Sequence, residues 1–395
     1  MSRRNQMGKR KTTAGLMRNI FRHSLYALWA IFVPLLLLEL VLRTTHLFGA
    51  RLPCTERDPL IGYRFSPNHA YWYKAESDHP ITGRINKYGW RDKDWALVKT
   101  PGTYRIAVLG DSFVEAFQVE SDRTFLSLAA KRLTAKLDRP VEMMNFGRSG
   151  FTQSEEFLVL QRDVARFRPD MVMVLFFPQN DIADIRRETA AEDYARPFYH
   201  LTKDGRLSLV LSAVRNGTSI RARLVDASKH NSALVSLISE KRKKLRALPS
   251  RRQEGAGHGN GLKPYLTLTT RAPDSVFASN YRVNKALIRA MADLCKARRI
   301  RLMLVCVDIE GYRPEVEARW RRLDPSVNVN FFEDDLARYA GSLGIEYVGL
   351  QRAFRRSYQE SGTPLHFGTW GHWNPRGHEL VADIMVRKLQ AEIKH

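Results

Sequence analysis

Apolar positions after residue 103 fall into two alternating patterns. Short unbroken apolar runs at 105–109, 141–145, 171–177, 301–307 and 346–350 have the length and continuity of strands buried on both faces. Between them, apolar residues recur at helical spacing over about 124–137, 154–167, 280–297, 333–343 and 375–390. In the second of these segments, Phe157, Leu160, Val164 and Phe167 form one stripe. Strands alternating with helices in this way predict an α/β fold. The expected architecture is a doubly wound, flavodoxin-like, five-stranded parallel sheet with helices on both faces.

The alternation fails in two places. Residues 44–102 form a Pro-rich, aromatic lead-in, and residues 182–276 read as a cap or lid insertion into the domain at 103–395. The insertion carries Lys241, Arg242, Lys243, Lys244, Arg246, Arg251 and Arg252, and then four glycines within 254–261 that read as a flexible linker.

A different pattern precedes the lead-in. From Leu25 to Leu42 the chain is apolar apart from Glu39, which is roughly 18 residues and enough for one helix across a bilayer. No small-x-small cleavage site closes the run, so an anchor at 24–43 is expected rather than a removed signal peptide. Arg3, Arg4, Lys9, Arg10, Lys11, Arg18 and Arg22 precede it, while only Arg43 and Arg51 follow closely. The positive-inside rule then puts the tail, 1–23, in the cytoplasm. A single pass through the inner (cytoplasmic) membrane leaves the large domain on the periplasmic or extracellular side.

Charge adds a partner class without changing the fold. A net charge of +23 over 395 residues, with pI near 10.1, favours an anionic neighbour. Zinc-finger spacing and RNA-binding signatures are both lacking, so nucleic acid is not the expected partner. Three cysteines without paired spacing make neither a disulfide framework nor a metal site, and Cys295 and Cys306 are expected in the core. Nothing resembles a phosphate cradle or a ligand cluster, so neither a metal nor an organic cofactor is called for.

In open α/β sheets, ligands bind beyond the carboxyl ends of the strands. The first run ends at Gly110-Asp111-Ser112, the second at Asn145–Gly150 and the third at Pro178–Asp181, and a late loop carries His372 to His378. A Gly-Asp-Ser turn alone can be a simple helix cap. Together, however, these ends hold what acyl transfer needs: a hydroxyl at Ser112, a base at His372, and oxyanion donors in the Ser112 N–H, the Gly147 N–H and the Asn180 amide. Asp111, Asp181 and His366 stand nearby in sequence as supporting contacts. Asp111 should point away from Ser112, His378 should pack in the closing helix, and Asn374 should cap that helix.

Ser112, Gly147, Asn180 and His372, in this order, resemble the four named residues of the SGNH hydrolases, also called GDSL-type esterases. The resemblance runs from about Tyr104 to the C-terminus, and Asn86-Lys-Tyr-Gly-Trp-Arg91 looks like the lead-in of membrane-anchored bacterial members. It implies an ester hydrolase or O-acyltransferase working through an acyl-serine on an envelope glycan, a lipid or a small ester. Two departures stand out. Pro178 replaces the family's glycine, and Thr369 and Trp370 occupy the places where an Asp usually precedes the histidine. No carboxylate lies between Glu360 and Glu379. Either a backbone carbonyl, such as one in the Phe367–Gly371 loop, orients His372, or activity is weak. The alternative is a non-catalytic SGNH-fold protein that binds an anionic polymer or an envelope assembly partner.

Overall fold

Each of the five apolar runs forms a strand: β1 (Tyr104–Gly110), β2 (Val141–Gly147), β3 (Met171–Phe176), β4 (Arg301–Cys306) and β5 (Glu346–Gly349). They make one parallel sheet in the order β5-β4-β3-β1-β2. The chain builds outward from β1 in both directions, so the switch in winding falls between β1 and β3. The computed structural model describes residues 2–45, 50–51, 55–74, 76–186, 196–211, 232–235, 237–238, 242, 262–368 and 371–393.

Alternation along the strands sends successive side chains to opposite faces. Ala107, Leu109, Val172, Val174, Leu302 and Leu304 face a core closed by α4 (Gln153–Arg162), α6 (Ser275–Ala297) and α8 (Phe331–Leu343). Ile106, Val108, Met173, Leu175, Met303 and Val305 face the other core. It is closed by α3 (Phe125–Leu137), α9 (Gln351–Ser361) and α10 (Pro375–Ile393). The expected architecture therefore holds. Cys295 and Cys306 are both buried.

Element bounds differ where local polar chemistry intervenes. The helix expected over 154–167 ends at Arg162, and Val164–Phe167 tightens into a 3₁₀ turn; Phe167 still reaches the core. The helix expected from Asn280 begins at Ser275, because Asp274 accepts the Val276 and Phe277 N–H groups as its cap. Two strongly polar helices, α7 (Pro314–Leu323) and α9, carry too few apolar residues for the pattern to reveal them.

The lead-in contains two antiparallel pairs, Thr55–Asp58 with Gly62–Phe65 and Ala70–Tyr73 with Ile81–Arg84. The motif Asn86–Arg91 is a turn. Asn86 Oδ1 accepts the Tyr88 and Trp90 N–H groups, and Gly89 adopts φ +88°. The turn delivers Arg91 into the interior, where it donates to the Tyr71 hydroxyl (2.5 Å) and to the carbonyls of Glu115 (2.9 Å) and Val119 (2.6 Å). Within the insertion, 197–201 pairs with 207–211 as a hairpin. The basic run at 241–252 apart from Arg242, the glycines of 254–261, and Cys54 lie outside the described residues.

The chain separates into two units, Met1–Arg51 with Thr218–Leu248, and Leu52–Gly217 with Pro249–His395. In the first, α1 (Ser2–Thr45) includes a 25-residue stretch, Phe21–Thr45, that is long and apolar enough to cross a membrane. Trp29 and Phe32 are exposed on it. Glu39 pairs with Arg43 at 2.6 Å and accepts the N–H groups of Ala233 and Leu234 and the Ser232 hydroxyl at 2.8–2.9 Å.

Candidate active site

The turn after β1 places the hydroxyl. Asp111 caps the short helix α2 (Ser112–Glu115) by accepting the Phe113 N–H at 2.9 Å, and Ser112 occupies the first helical position. A helix has no internal acceptor for an N–H at that position, so the Ser112 N–H is oriented by α2 without being used by it. Gly110 is required by packing, since a Cβ there would meet Val114 Cγ2 at 2.5 Å.

The loop before α10 brings the imidazole to the hydroxyl. Phe367 N–H donates to the His372 carbonyl, Asn374 N–H donates to the Leu365 carbonyl, and His366 bridges Trp373, so the loop is tied across itself. Asn374 Oδ1 accepts the Arg376 and Gly377 N–H groups, capping α10 as expected. His372 Nε2 then lies 2.8 Å from Ser112 Oγ.

A carboxylate from the lead-in completes the line. Glu76 Oε1 and Oε2 each stand 2.9 Å from His372 Nδ1, and Oε2 also accepts the His372 backbone N–H at 2.9 Å. The Tyr73 hydroxyl donates to Oε1 at 3.0 Å. Burial alone would raise the Glu76 carboxyl, but the His372 ring bond, its charge, its N–H and Tyr73 together hold it down at about 2. Gly371 makes the approach possible: a Cβ there would meet the Phe367 carbonyl oxygen at 2.1 Å and Glu76 Oε2 at 2.9 Å. Of the two alternatives read from the sequence, a carbonyl of the Phe367–Gly371 loop orienting the ring is replaced, because Nδ1 meets Glu76 instead. The lack of an acid between Glu360 and Glu379 is made good from a segment 296 positions upstream.

The remaining residues divide by what they touch. Asn180 opens toward Asp111: its Nδ2 donates to Asp111 Oδ2 at 2.8 Å and to the Phe151 carbonyl at 3.3 Å. Asp111 thus holds both α2 and the Asn180 amide, a link that sequence adjacency to Ser112 does not reveal. Burial pushes its carboxyl up to about 6 against the pull of the Phe113 N–H, His372 and Asn180. Asp181 turns inward, accepting Gln153 Nε2 (2.9 Å) and the Phe177 N–H (2.7 Å). Pro178, the departure from the family glycine, opens α5 (Pro178–Ala183) at its first turn, where no N–H is needed.

His366 packs on the Tyr312 ring and lies 3.2 Å from its hydroxyl and 3.3 Å from Asp308 Oδ2. Burial drives it down to about 3, so it stays neutral. His378 is buried in α10 and accepts the Phe125 N–H at 3.2 Å, a packing role as expected.

Gly147 has a steric reason for being glycine. A Cβ there would meet Val114 Cβ at 2.4 Å and Glu115 N at 2.6 Å, and its own N–H already donates to Asn145 Oδ1 at 2.9 Å. Three residues on, Gly150 adopts φ +79° with open space where a Cβ would stand. The loop between them is fixed from the lead-in side. Arg148 is buried under the Phe65 and Tyr63 rings, 3.7 and 4.3 Å from their centroids, and Glu115 accepts the Ser149 N–H and hydroxyl.

Glu76 is a site group that the sequence pattern does not reveal. Its signal is faint: an exposed-looking Lys-Ala-Glu-Ser stretch with no periodicity, in a segment outside the family resemblance. The imidazole requires a carboxylate near it in space, not in sequence.

The family model of GDSL-like lipase/acylhydrolase matches residues 106–385. Among solved structures, an α/β hydrolase, LAE5, from the metagenome of Lake Arreo, Spain, shares 15% identity over 72% of this chain and 94% of its own, with a TM-score of 0.38. A lipase/acylhydrolase from Enterococcus faecalis shares 12% identity over 73% and 96%, TM-score 0.36. The psychrotrophic esterase EstA from Pseudoalteromonas sp. shares 11% over 74% and 99%, TM-score 0.36. No curated protein matches the chain significantly. With its hydroxyl, imidazole and carboxylate in line and a family match spanning most of its length, the chain belongs to the GDSL-like lipase/acylhydrolase family and is an SGNH-type hydrolase of ester bonds.

Proposed function

We propose that this protein is a membrane-anchored serine ester hydrolase or O-acyltransferase acting on an ester-bearing envelope glycan or lipid, with Ser112 as nucleophile, His372 as general base and Glu76 as the orienting acid. The observation that carries the reading is the hydrogen-bonded line from Ser112 Oγ through His372 to Glu76, at 2.8 and 2.9 Å. Ser112 Oγ attacks the ester carbonyl as its proton passes to His372 Nε2. The tetrahedral oxyanion collapses, the C–O bond to the alcohol breaks, and the alcohol leaves with the proton from Nε2. Water or a second hydroxyl then attacks the acyl-serine by the same route, giving hydrolysis or transfer. Glu76 keeps the Nδ1 proton in place and compensates the imidazolium in each half-reaction.

The Ser112 N–H, which α2 leaves unused, is the first oxyanion donor, and the Asn180 amide is the second, exchanging its 3.3 Å contact with the Phe151 carbonyl for the bound oxyanion while keeping Asp111. The third comes from the loop after β2. Gly147 holds this place in the family resemblance, but its N–H is engaged by Asn145 Oδ1; the loop's other glycine, Gly150, precedes Phe151, whose carbonyl Asn180 touches. The Gly150 N–H is therefore the alternative third donor to Gly147. Of the two grounds for a purely binding role, the basic insertion and a histidine without an acid, Glu76 speaks against the second.

The anchor reading rests on the apolar stretch Phe21–Thr45 and on the basic residues before it. An outward-facing catalytic domain of the membrane-anchored bacterial type follows from that charge asymmetry, and envelope esters are the substrates within its reach. A fluorophosphonate probe tests the reading: it should label the wild type and leave Ser112→Ala unlabelled. Failure of the wild type to label or to cleave short acyl esters would refute the catalytic assignment. Mass spectrometry of an acyl group trapped on Ser112 would identify the acyl half of the substrate.

A further inference from the structure

The amino-terminal rim of the sheet carries a second concave site. In a parallel sheet all strands begin on one edge, and the seven residues of β1 separate that edge from Ser112 by about 20 Å. There a pocket of about 630 Å³ is lined by Arg139, Arg168, Arg298, Arg299 and Arg301 around Tyr104. Two carboxylates share the wall and both are already matched: Asp170 by Lys99 at 2.5 Å, and Glu392 by Arg301. Among the described residues, Arg168, Arg298 and Arg299 pair with no carboxylate, and all three are exposed.

Two of these arginines also stand on left-handed backbone. Arg168, just before β3, has φ +48°, and Arg299, just before β4, has φ +57°. β3 and β4 are neighbours, so the two stand side by side. Glycine is the residue that favours this left-handed region, and a long side chain there is disfavoured. Both positions nevertheless hold arginine, facing one pocket. Within it the Tyr104 hydroxyl is buried beside the Arg301 guanidinium, and Arg139 lies 5.5 Å from the centre of the Tyr104 ring.

We propose that this rim pocket binds a phosphate group, from a soluble phosphomonoester or from a lipid headgroup, at a site separate from ester chemistry. Guanidinium forks from several directions suit an acceptor with three oxygens and two charges, and the volume fits a headgroup-sized ligand.

The test uses the full chain in detergent and the double variant Arg168→Gly/Arg299→Gly. Glycine removes both charges at positions whose backbone it prefers, so the variant should melt no lower than the wild type and cleave esters at the same rate. Calorimetry at matched ionic strength should show saturable binding of inorganic phosphate or glycerol phosphate to the wild type, weakened about tenfold or more in the variant. The basic N-terminal tail is identical in both, so its own attraction for anions cancels. Nanodiscs containing phosphatidic acid distinguish the source. Preference for them over glycerol phosphate assigns a lipid headgroup, and equal binding per phosphate assigns a soluble ligand. No saturation by any phosphate probe, equal binding by the variant, or acetate binding as tightly as phosphate would overturn the proposal. A lower melting temperature in the variant, with binding unchanged, would reduce these arginines to helix-end supports.

Discussion

Glu76 and His372 lie 296 positions apart, yet both carboxylate oxygens stand 2.9 Å from the imidazole Nδ1. The acid thus reaches the histidine from outside the doubly wound sheet. Its removal should behave as loss of the acid of a triad. Glu76→Gln is expected to retain the fold and lose about 10³- to 10⁴-fold in kcat/KM, by analogy with the amide replacement of a triad aspartate. Steady-state hydrolysis of a short acyl ester measures this, and a loss under tenfold would remove Glu76 from the mechanism.

The same contact makes a prediction about stability and pH. Folding lowers the Glu76 carboxyl from 4.5 to about 2, so the unfolded chain takes up its proton first as the pH falls. Its stabilisation is complete above about pH 4.5 and disappears as the pH falls toward 2. Melting curves of wild type and Glu76→Gln should therefore differ most near neutrality and converge in acid. Divergence on acidification would contradict the assignment.

Asn180 offers a separable test of oxyanion binding. Asn180→Ala removes one donor and should cost about 10²- to 10³-fold in kcat, with KM little changed. Because the 2.8 Å contact between Ser112 and His372 does not involve Asn180, the fluorophosphonate probe should still label the variant, though slowly. An unaltered kcat would show that the amide serves only Asp111.

Arg91 connects the lead-in to the helix that carries Ser112. Its three bonds, to Tyr71, Glu115 and Val119, are all buried. Arg91→Met would strand two carbonyls and should cost about 2–5 kcal/mol of stability, read by denaturant unfolding. Activity should fall together with stability, since the lead-in also carries Glu76. Full activity in a destabilised Arg91→Met would mean that Glu76 reaches His372 without that tether.

Topology can be checked directly. A periplasm-dependent reporter fused after His395 should be active and a cytoplasm-dependent one silent. The reverse pair of signals would overturn the orientation inferred from Arg3 to Arg22.

The five apolar runs, the helices between them and the residues Ser112, Asn180 and His372 are readable from the chain because each rests on local pattern. A doubly buried strand must be apolar along its length, and parallel strands bring their carboxyl ends to one edge. α7 and α9 escape that reading since their faces are mostly polar. What only the tertiary structure decided is the acid, the engagement of the Gly147 N–H by Asn145, and the grip of Asp111 on Asn180. Each of these depends on distance across elements, and a carboxylate acts wherever its oxygens arrive. Glu76 arrives because Gly371 leaves room for it and because Tyr73, on the same lead-in, holds it against the His372 ring.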